Sequence, residues 1–213
     1  MARGNPAKLP ASFYRRRDVT TVARDLLGKQ LCSRIDGEVC RLFITETEAY
    51  AGVSDKASHA FGGLRTKRTE PLYAPGGLAY VYLCYGIHRL FNVVTGAAGE
   101  PHAVLVRAGV AGQGADVMLR RRRRASAGRD LLNGPGKLAQ ALAISTTHSG
   151  ISLAGDTLWI EDAGIDIPPD AISTGPRIGV DYAGADAALP YRYLVDLIGV
   201  GPMQFSDIQE ETV

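Results

Sequence analysis

Residues 39–50 read VCRLFITETEAY, and the apolar first half of this run predicts a β-strand over 39–48. Because successive strand side chains point to opposite faces, Glu46, Glu48 and Tyr50 should share one face. Two like charges beside an aromatic ring make a poor core face, so the segment alone favours a solvated edge strand. The residues that follow it favour a catalytic strand instead.

A hairpin and a helix are predicted just before this strand. Asp36-Gly37 is a hairpin signal between strands at 31–35 and 39–48. Asp18 suits an N-cap and Gly28 a C′ position for a helix over 18–27 with an apolar stripe. Further strands are predicted at 78–84, 90–94, 103–108, 157–161 and 177–180, and further helices at 115–124 and 138–143. The pattern predicts a mixed α/β (α+β) fold.

The composition fits one globular domain. The chain has 213 residues, of which 46% are hydrophobic and 22% charged. We expect a flexible basic N-terminal tail over residues 1–12 and a single domain over 13–213. No run of eighteen apolar residues occurs, and residues 1–17 lack the apolar core of a secretory signal. The three cysteines lack metal-type spacing, so we expect buried reduced thiols and a cytoplasmic location.

The net charge of +2 hides two basic segments. Residues 1–34 carry eight Lys and Arg against two acids, and residues 120–137 carry seven against one. Such segments suggest a polyanion-binding face, although the consecutive Arg120–Arg124 would also suit a solvated helix surface. Asn133-Gly134-Pro135-Gly136-Lys137 begins a helix whose free N–H groups could hold a phosphate, or could simply be capped.

Residues with catalytic and binding chemistry fall within about sixty positions, beginning on the strand predicted over 39–48. They are Glu48, Tyr50, His59, Tyr80, Tyr82, Tyr85, Asn92 and Arg107, and a loop over 51–76 separates the first two from the tyrosine cluster. A long loop inside a compact domain is usually functional. Each residue alone has a structural explanation: a surface histidine, a half-buried tyrosine face, a turn asparagine, a surface arginine.

The order of these motifs resembles the alkyladenine (3-methyladenine) DNA glycosylase family. The matching segments are Glu46-Thr47-Glu48-Ala49-Tyr50, Ala57-Ser58-His59, Tyr80-Val81-Tyr82, Tyr85-Gly86, Asn92, Arg107, Asn133-Gly134-Pro135-Gly136-Lys137-Leu138 and Pro176-Arg177-Ile178-Gly179. The resemblance implies a single domain with a curved, mainly antiparallel sheet and surrounding helices, with no cofactor and no metal. It also implies a DNA repair enzyme that flips alkylated purines out of duplex DNA.

The resemblance implies a role for each matching residue. Glu48 would be the general base that activates a water, and Arg107 would position that water and contact the target phosphate. The base pocket would be formed by Tyr50, Ala57, His59, Tyr82 and Asn92, with Asn92 screening against guanine. Hydrolysis of the N-glycosidic bond would leave an abasic site without strand cleavage, so the enzyme would be monofunctional.

The remaining implied roles concern DNA. Tyr85 would intercalate where the nucleotide has left the stack, and Arg68, Lys137 and Arg120–Arg124 would meet phosphates. The partner would be double-stranded DNA containing damaged purines, bound by a monomer.

Two other functions fit parts of the sequence. A non-catalytic DNA-binding module would keep the basic segments and tyrosines and use Glu48 only as scaffold. A nucleoside hydrolase would use the same Glu and Tyr pocket on free substrate, but such a substrate needs no polyanion face. The role of Glu46 stays open, because it could raise the pKa of Glu48 or serve as a structural hydrogen-bond acceptor.

Overall fold

One antiparallel sheet organises the chain in the computed structural model, which describes residues 6–126 and 128–197. Its strands are β1 (Ala7–Lys8), β2 (Gln30–Ile35), β3 (Glu38–Tyr50), β4 (Ala79–Cys84), β5 (His88–Thr95), β6 (His102–Ala111), β7 (Leu158–Asp162), β8 (Ile172–Gly175) and β9 (Arg192–Val195). The α-helices are α1 (Ala11–Tyr14), α2 (Val19–Asp25), α3 (Ala115–Arg122) and α4 (Pro135–Ala141). Short 3-10 helices lie at Gly52–Ser54, Phe61–Gly63, Glu70–Tyr73, Arg129–Leu131, Thr146–His148, Pro169–Ala171 and Asp181–Ala188. The curved sheet and its helices confirm the predicted fold class.

Strand β3 is the central strand of the sheet. The main path runs β1-β7-β2-β3-β6-β5-β4, and β9 pairs with both β3 and β8. One edge of β3 pairs with β2 over residues 38–43 and with β9 over residues 46–48, while its other edge pairs with β6 over 42–50. The solvated edge-strand interpretation of this segment is therefore wrong, because its carboxylates lie on a strand that is paired along both edges.

Two register shifts interrupt the pairing of β3 with β6. Ile44 pairs with Gly109 and Glu46 with Ala108, so Thr45 is an extra residue on β3. Thr47 then pairs with Val106, so Arg107 is an extra residue on β6. Bulges of this kind re-aim side chains. Here they bring Arg107 alongside Glu46 on one face of the sheet.

The opposite face of β3 packs on helix α2. The Thr47 hydroxyl donates to the Ala23 carbonyl at 2.8 Å, and the predicted apolar stripe of α2 is buried. Asp18 is the N-cap as predicted, and it accepts a hydrogen bond from the Thr20 N–H at 2.9 Å. Gly28 has a φ of +76° and donates its N–H to the Ile44 carbonyl, so the helix end is tied to β3.

Most of the predicted elements are confirmed, including the hairpin at Asp36-Gly37, where both residues have positive φ. The strand predicted at 177–180 is wrong. Arg177 is buried there, and its guanidinium bonds to the Ala49 carbonyl and to Asp55, which holds this segment as an irregular loop. The strands that the sequence did not reveal are short: β1 has two residues, and β8 and β9 have four each.

The predicted N-terminal tail is only partly described, because residues 1–5 lie outside the described residues, as do residues 198–213 of the predicted domain. Ala7–Lys8 pairs with β7, and Leu9 is buried. Cys32 and Cys40 are buried free thiols, whereas Cys84 is half-buried. In the described part of the chain, no helix is long and apolar enough to cross a membrane.

We expect Gly76→Ala to destabilise the fold. A Cβ at Gly76 would lie 2.4 Å from the Tyr14 carbonyl oxygen and 3.0 Å from the Thr95 Cα, and neither backbone atom can rotate away. The free energy of unfolding, measured by urea denaturation, should fall by about 1–3 kcal/mol. Gly175→Ala is the control, because nothing lies within 4 Å of its Cβ and its stability should change by less than about 0.5 kcal/mol. Equal stability of the two variants would contradict the packing described around Gly76.

Candidate active site

The Glu48 carboxylate is fully buried, with 0% of the residue exposed. The Ile178 N–H donates to its Oε1 at 2.8 Å, and the Tyr50 hydroxyl donates to its Oε2 at 2.9 Å. Arg107 Nη1 lies 3.3 Å from Oε1 as an ion pair. Both carboxylate oxygens therefore have polar partners, as a buried charge requires.

Burial raises the pKa of Glu48 above its ordinary value. Arg107, the Ile178 N–H and the Tyr50 hydroxyl oppose this rise, while the negative charge of Glu46 adds to it. Burial also raises the pKa of Tyr50 well above its usual range, so the phenol stays protonated and can donate to Glu48. The result is a carboxylate that is a stronger base than a surface glutamate.

A pocket lined by aromatic side chains lies beside Glu48. Its lining residues are Tyr50, Ala57, Ser58, His59, Leu72, Tyr80, Tyr82, Asn92, Ala103 and Tyr182. All five residues expected to form a base pocket are therefore brought together. Tyr50 joins the two parts of the site, because its ring lines the pocket and its hydroxyl contacts Glu48.

The histidine and tyrosines of the pocket form one contact network. Tyr80 and Tyr82 stack with ring centroids 5.6 Å apart, which confirms that they share a strand face. His59 Nδ1 lies 2.8 Å from the Tyr80 hydroxyl, and its ring meets Tyr82 edge-on at 4.5 Å. Burial, followed by the nearby Arg68, lowers the pKa of His59 to about 4. The imidazole is therefore neutral near pH 7.

The side chain of Asn92, on β5, is held by backbone carbonyls of β4 and β5. Its amide nitrogen donates to the Tyr80 carbonyl at 3.1 Å and to the Leu90 carbonyl at 3.3 Å. These bonds supply the partners that a buried amide within an apolar strand requires. The side chain is consequently fixed where it lines the pocket.

A buried ion pair joins the two loops that close the site, and sequence reasoning did not identify it. Arg177 binds Asp55 with both nitrogens, at 2.5 and 2.8 Å, and stacks over the Tyr50 ring at 4.8 Å. Asp55 also accepts the Ala57 N–H. The pair therefore aligns the loop of Ala57 with the segment that supplies the Ile178 N–H.

Tyr182 is a second site residue that sequence reasoning missed. It lines the pocket, and its hydroxyl donates to the Ala57 carbonyl at 3.2 Å. The only available signal was its position shortly after the Pro176-Arg177-Ile178-Gly179 motif. That motif locates the segment in the family pattern but does not show that Tyr182, which is 72% exposed, borders the pocket.

Tyr85 lies at the tip of the hairpin between β4 and β5 and is 87% exposed. Its φ is +49° and that of Gly86 is +73°, so the chain turns sharply here, as the glycine predicts. Leu83 and Ile87 on either side are also exposed. A large aromatic ring thus projects from the protein with apolar neighbours.

The start of helix α4 lies next to this hairpin. The Gly134 N–H donates to the Arg107 carbonyl at 3.1 Å, and a Cβ at Gly136 would lie 2.9 Å from the His88 ring. Lys137 forms an ion pair with Asp130, and Arg68 is exposed on the loop near His59. The two residues expected to contact DNA phosphates, Arg68 and Lys137, therefore lie on segments that border the site.

The Arg120–Arg124 run begins at the end of β3 that is far from Glu48, where Arg120 meets Glu38. Arg120 forms ion pairs with Glu38 and Asp116, and Arg121 donates to the Ile35 and Ala141 carbonyls. Arg124, at the end of the run, forms an ion pair with Asp130 at 2.8 Å, and Lys137 pairs with the same carboxylate group. These contacts favour the structural interpretation of the run's first residues.

Within residues 6–126 and 128–197, no group of three or more His, Cys, Asp or Glu side chains could hold a metal ion.

Comparison with known proteins gives the class of this site. The sequence profile of the methylpurine-DNA glycosylases matches residues 12–197. A protein of Chlamydia felis named "Putative 3-methyladenine DNA glycosylase" is 44% identical over 89% of this chain and 96% of its own length. Proteins of the same name from Anaeromyxobacter dehalogenans and Desulfitobacterium hafniense are 49% and 40% identical, over 87% and 89% of this chain and 81% and 95% of their own lengths.

These matches are all to DNA glycosylases, which are hydrolases of DNA repair. The chain belongs to the methylpurine-DNA glycosylase family.

We expect Asp55→Asn to destabilise the protein strongly, because it leaves the Arg177 guanidinium buried without its counter-charge. Breaking a buried pair by removing one partner costs about 3–5 kcal/mol, to be measured by urea unfolding. Glu70→Gln removes one partner of the solvent-exposed Arg65–Glu70 pair and should change stability little. A similar small effect of Asp55→Asn would show that the pair does not hold the two loops together.

Proposed function

We propose that this protein removes alkylated purines such as 3-methyladenine from duplex DNA by hydrolysing the N-glycosidic bond, with Glu48 as the general base. The observation that carries the proposal is the buried Glu48 carboxylate beside an aromatic pocket, in a chain of the methylpurine-DNA glycosylase family. Arg107, which lies 3.3 Å from Glu48, would help to position the attacking water.

In the proposed reaction, Glu48 accepts a proton from water as the oxygen attacks the sugar C1′. The bond from C1′ to the base breaks, and its electrons leave with the base. The transition state resembles an oxocarbenium ion, which a nearby carboxylate stabilises. Glu48 is fully buried, with the Tyr50 hydroxyl on one carboxylate oxygen and Arg107 near the other, so the attacking water would reach it through a change in these contacts.

The pocket suits a base that carries positive charge. Purine nucleotides alkylated at N3 or N7 are cationic, and the faces of Tyr50 and Tyr82 would attract a cation through their electron density. The lowered pKa of His59 supports this assignment, because a neutral imidazole does not repel a cationic base. Its neutral ring and the backbone of Ala57 would hydrogen-bond the base edge, and the fixed amide of Asn92 would exclude guanine by crowding its exocyclic amine.

The proposed selectivity follows from the leaving group. A cationic base leaves without protonation, whereas a neutral lesion such as hypoxanthine would need an acid at the base. No lysine lines the pocket among the described residues, so an amine nucleophile is not supplied there. We therefore propose a monofunctional enzyme that leaves an intact strand with an abasic site.

The DNA contacts are proposed from the position and exposure of three residues. Tyr85 would fill the gap left by the flipped nucleotide, and its exposed position at a hairpin tip supports this. Arg68 and Lys137 would bind phosphates from the two elements that border the site. We propose that the protein acts as a monomer on cytoplasmic DNA.

We expect Glu48→Gln to lower base release from a duplex containing one 7-methylguanine or 3-methyladenine by at least about 100-fold. The amide cannot accept the proton from water, but it can keep contacts with Arg107 and the Ile178 N–H. The measurement is the single-turnover rate of abasic-site formation, revealed by alkali.

Glu161→Gln is the matched control for this variant. Glu161 is a buried glutamate of the same sheet that pairs with Arg41 and accepts the Trp159 N–H, away from the pocket. Its activity should be close to that of the wild type. Full activity of Glu48→Gln would remove the base assignment. A wild type that binds DNA without releasing bases would be a binding module, and one that cleaves only free nucleosides would be a nucleoside hydrolase.

We expect Tyr85→Asn to weaken binding to lesion-containing duplex by about 10-fold or more, because stacking on an aromatic ring contributes roughly 1–3 kcal/mol per base. Asparagine tolerates the positive φ at this position, so the turn should persist. Tyr85→Phe keeps the ring and should bind as the wild type does. Fluorescence anisotropy with lesion-containing and undamaged duplexes measures the affinity of both variants for DNA. If Tyr85→Asn and Tyr85→Phe bind the lesion-containing duplex equally tightly, the intercalation role is excluded.

A further inference from the structure

Glu46 is the second carboxylate on the Glu48 face of β3, and it lies between two arginines. Its Oε1 accepts a hydrogen bond from Arg107 Nε at 3.0 Å, and Arg192 Nε lies 3.8 Å away. The residue is 8% exposed. A buried carboxylate with two cationic neighbours is electrostatically well compensated.

Arg107 is shared unequally between the two glutamates. It donates a hydrogen bond to Glu46, whereas its contact with Glu48 is an ion pair at the longer distance of 3.3 Å. A guanidinium with a free choice of carboxylate tends to form two parallel hydrogen bonds with one of them. Here Arg107 Nε bonds to Glu46 and Nη1 lies 3.3 Å from Glu48, so the guanidinium bridges the two carboxylates.

The sheet irregularity around Glu46 produces this arrangement. The register shifts fall on both sides of Glu46, and they leave Thr45 on β3 and Arg107 on β6 as extra residues. On the other edge, β9 places Arg192 opposite Glu48. Three strands thus supply one charge network of two carboxylates and two guanidinium groups.

We propose that Glu46 is a positioning residue, which holds Arg107 so that the guanidinium stays near Glu48 without closing on it. The positive charge of Arg192 partly neutralises Glu46, so the attraction between Glu46 and Arg107 is weaker than it would be without Arg192. The proposal rests on the proposed role of Glu48 as the base, and it assigns a role in the same site to a residue that does not touch the reacting atoms.

The charged groups around Glu48 determine the pH range in which its carboxyl group is ionised and can accept a proton. The groups that face Glu48 are Arg107 on β6, Arg192 on β9, Tyr50 on β3, Tyr82 on β4 and the loop residue Arg177. Burial raises the pKa of Glu48, and the negative charge of Glu46 adds to that rise. The base must be ionised, so the rate should rise with pH through this pKa.

Glu46→Gln should therefore move the acid limb of the pH–rate profile to lower pH. The amide carries no charge to repel Glu48, and it holds Arg107 less strongly, so Arg107 can close on Glu48. Both changes favour the ionised form of Glu48. The shift should be roughly half a pH unit or more, and the plateau rate should fall about 10-fold because Arg107 is displaced and the base is weaker.

Arg192→Gln should shift the acid limb in the opposite direction. Removing this positive charge strengthens the hold of Glu46 on Arg107 and leaves Glu48 less compensated. The ionised form of Glu48 is then disfavoured, so the limb moves to higher pH. This second variant decides the question if Glu46→Gln does not fold, because its side chain is the more exposed of the two.

The experiment measures single-turnover base release from a 7-methylguanine duplex between pH 4.5 and 9, roughly the range over which glutamates and histidines titrate. Glu161→Gln is the control for losing a buried, arginine-paired glutamate from this sheet. It should lower stability without moving the acid limb. Unfolding in urea is followed for all the variants.

An unmoved acid limb in Glu46→Gln, or a shift of the same size in Glu161→Gln, would overturn the positioning role. An Arg192→Gln limb that stays in place or moves to lower pH would do the same. These outcomes leave the base assignment intact as long as Glu48→Gln is inactive. An active Glu48→Gln variant would instead refute the proposed function itself.

Discussion

The pairing of strand β3 along both edges is the constraint on which the rest of the site depends. It takes Glu46 and Glu48 out of water, and an ionised carboxylate in such surroundings is costly unless it is paired and hydrogen-bonded. The protein meets this requirement with groups from four separate segments: Arg107 from β6, Arg192 from β9, the Tyr50 hydroxyl and the Ile178 N–H. Burial also gives Glu48 its raised pKa, so the same constraint that demands compensation supplies the basicity.

One of these partners, the Ile178 N–H, lies on a segment without regular structure, as does the pocket residue Ala57. An irregular segment has no ladder of backbone hydrogen bonds to hold it, so side chains have to do so. The Asp55–Arg177 pair serves this purpose, because Arg177 also bonds to the carbonyls of Ala49 and Asp186. The Asp55–Arg177 pair therefore fixes the loop of Ala57 and the segment of Ile178 in position against β3. The geometry of the pocket depends on this buried pair as much as on the sheet.

Elements defined by local sequence could be predicted, and those defined by distant contacts could not. The Asp18 cap of α2 and the turn at Asp36-Gly37 are determined by residues close in sequence, and both predictions are confirmed. The wrong strand at 177–180 had an apolar, strand-like composition, but the burial of Arg177 against Asp55, 122 residues away, overrides that local preference. The predicted pocket residues came from motif order, which carries long-range information. Tyr182, Asp55 and Arg177 were missed as site residues because nothing in their local sequence indicates that they lie at the pocket.

The charge arrangement also suits a substrate that is negative outside and positive at the base to be removed. An exposed glutamate would repel the phosphates of approaching DNA, whereas Glu46 and Glu48 are buried and face Arg107 and Arg192. A protonated histidine would repel a cationic base, whereas the pKa of His59 is lowered to about 4. The pocket can therefore attract the base through aromatic faces, while the carboxylate is kept for the sugar. In the proposed reaction, positive charge appears at the sugar only after the base has entered, and the full charge of Glu48 is needed only then. A guanidinium that stays near Glu48 but is held mainly by Glu46 satisfies both stages.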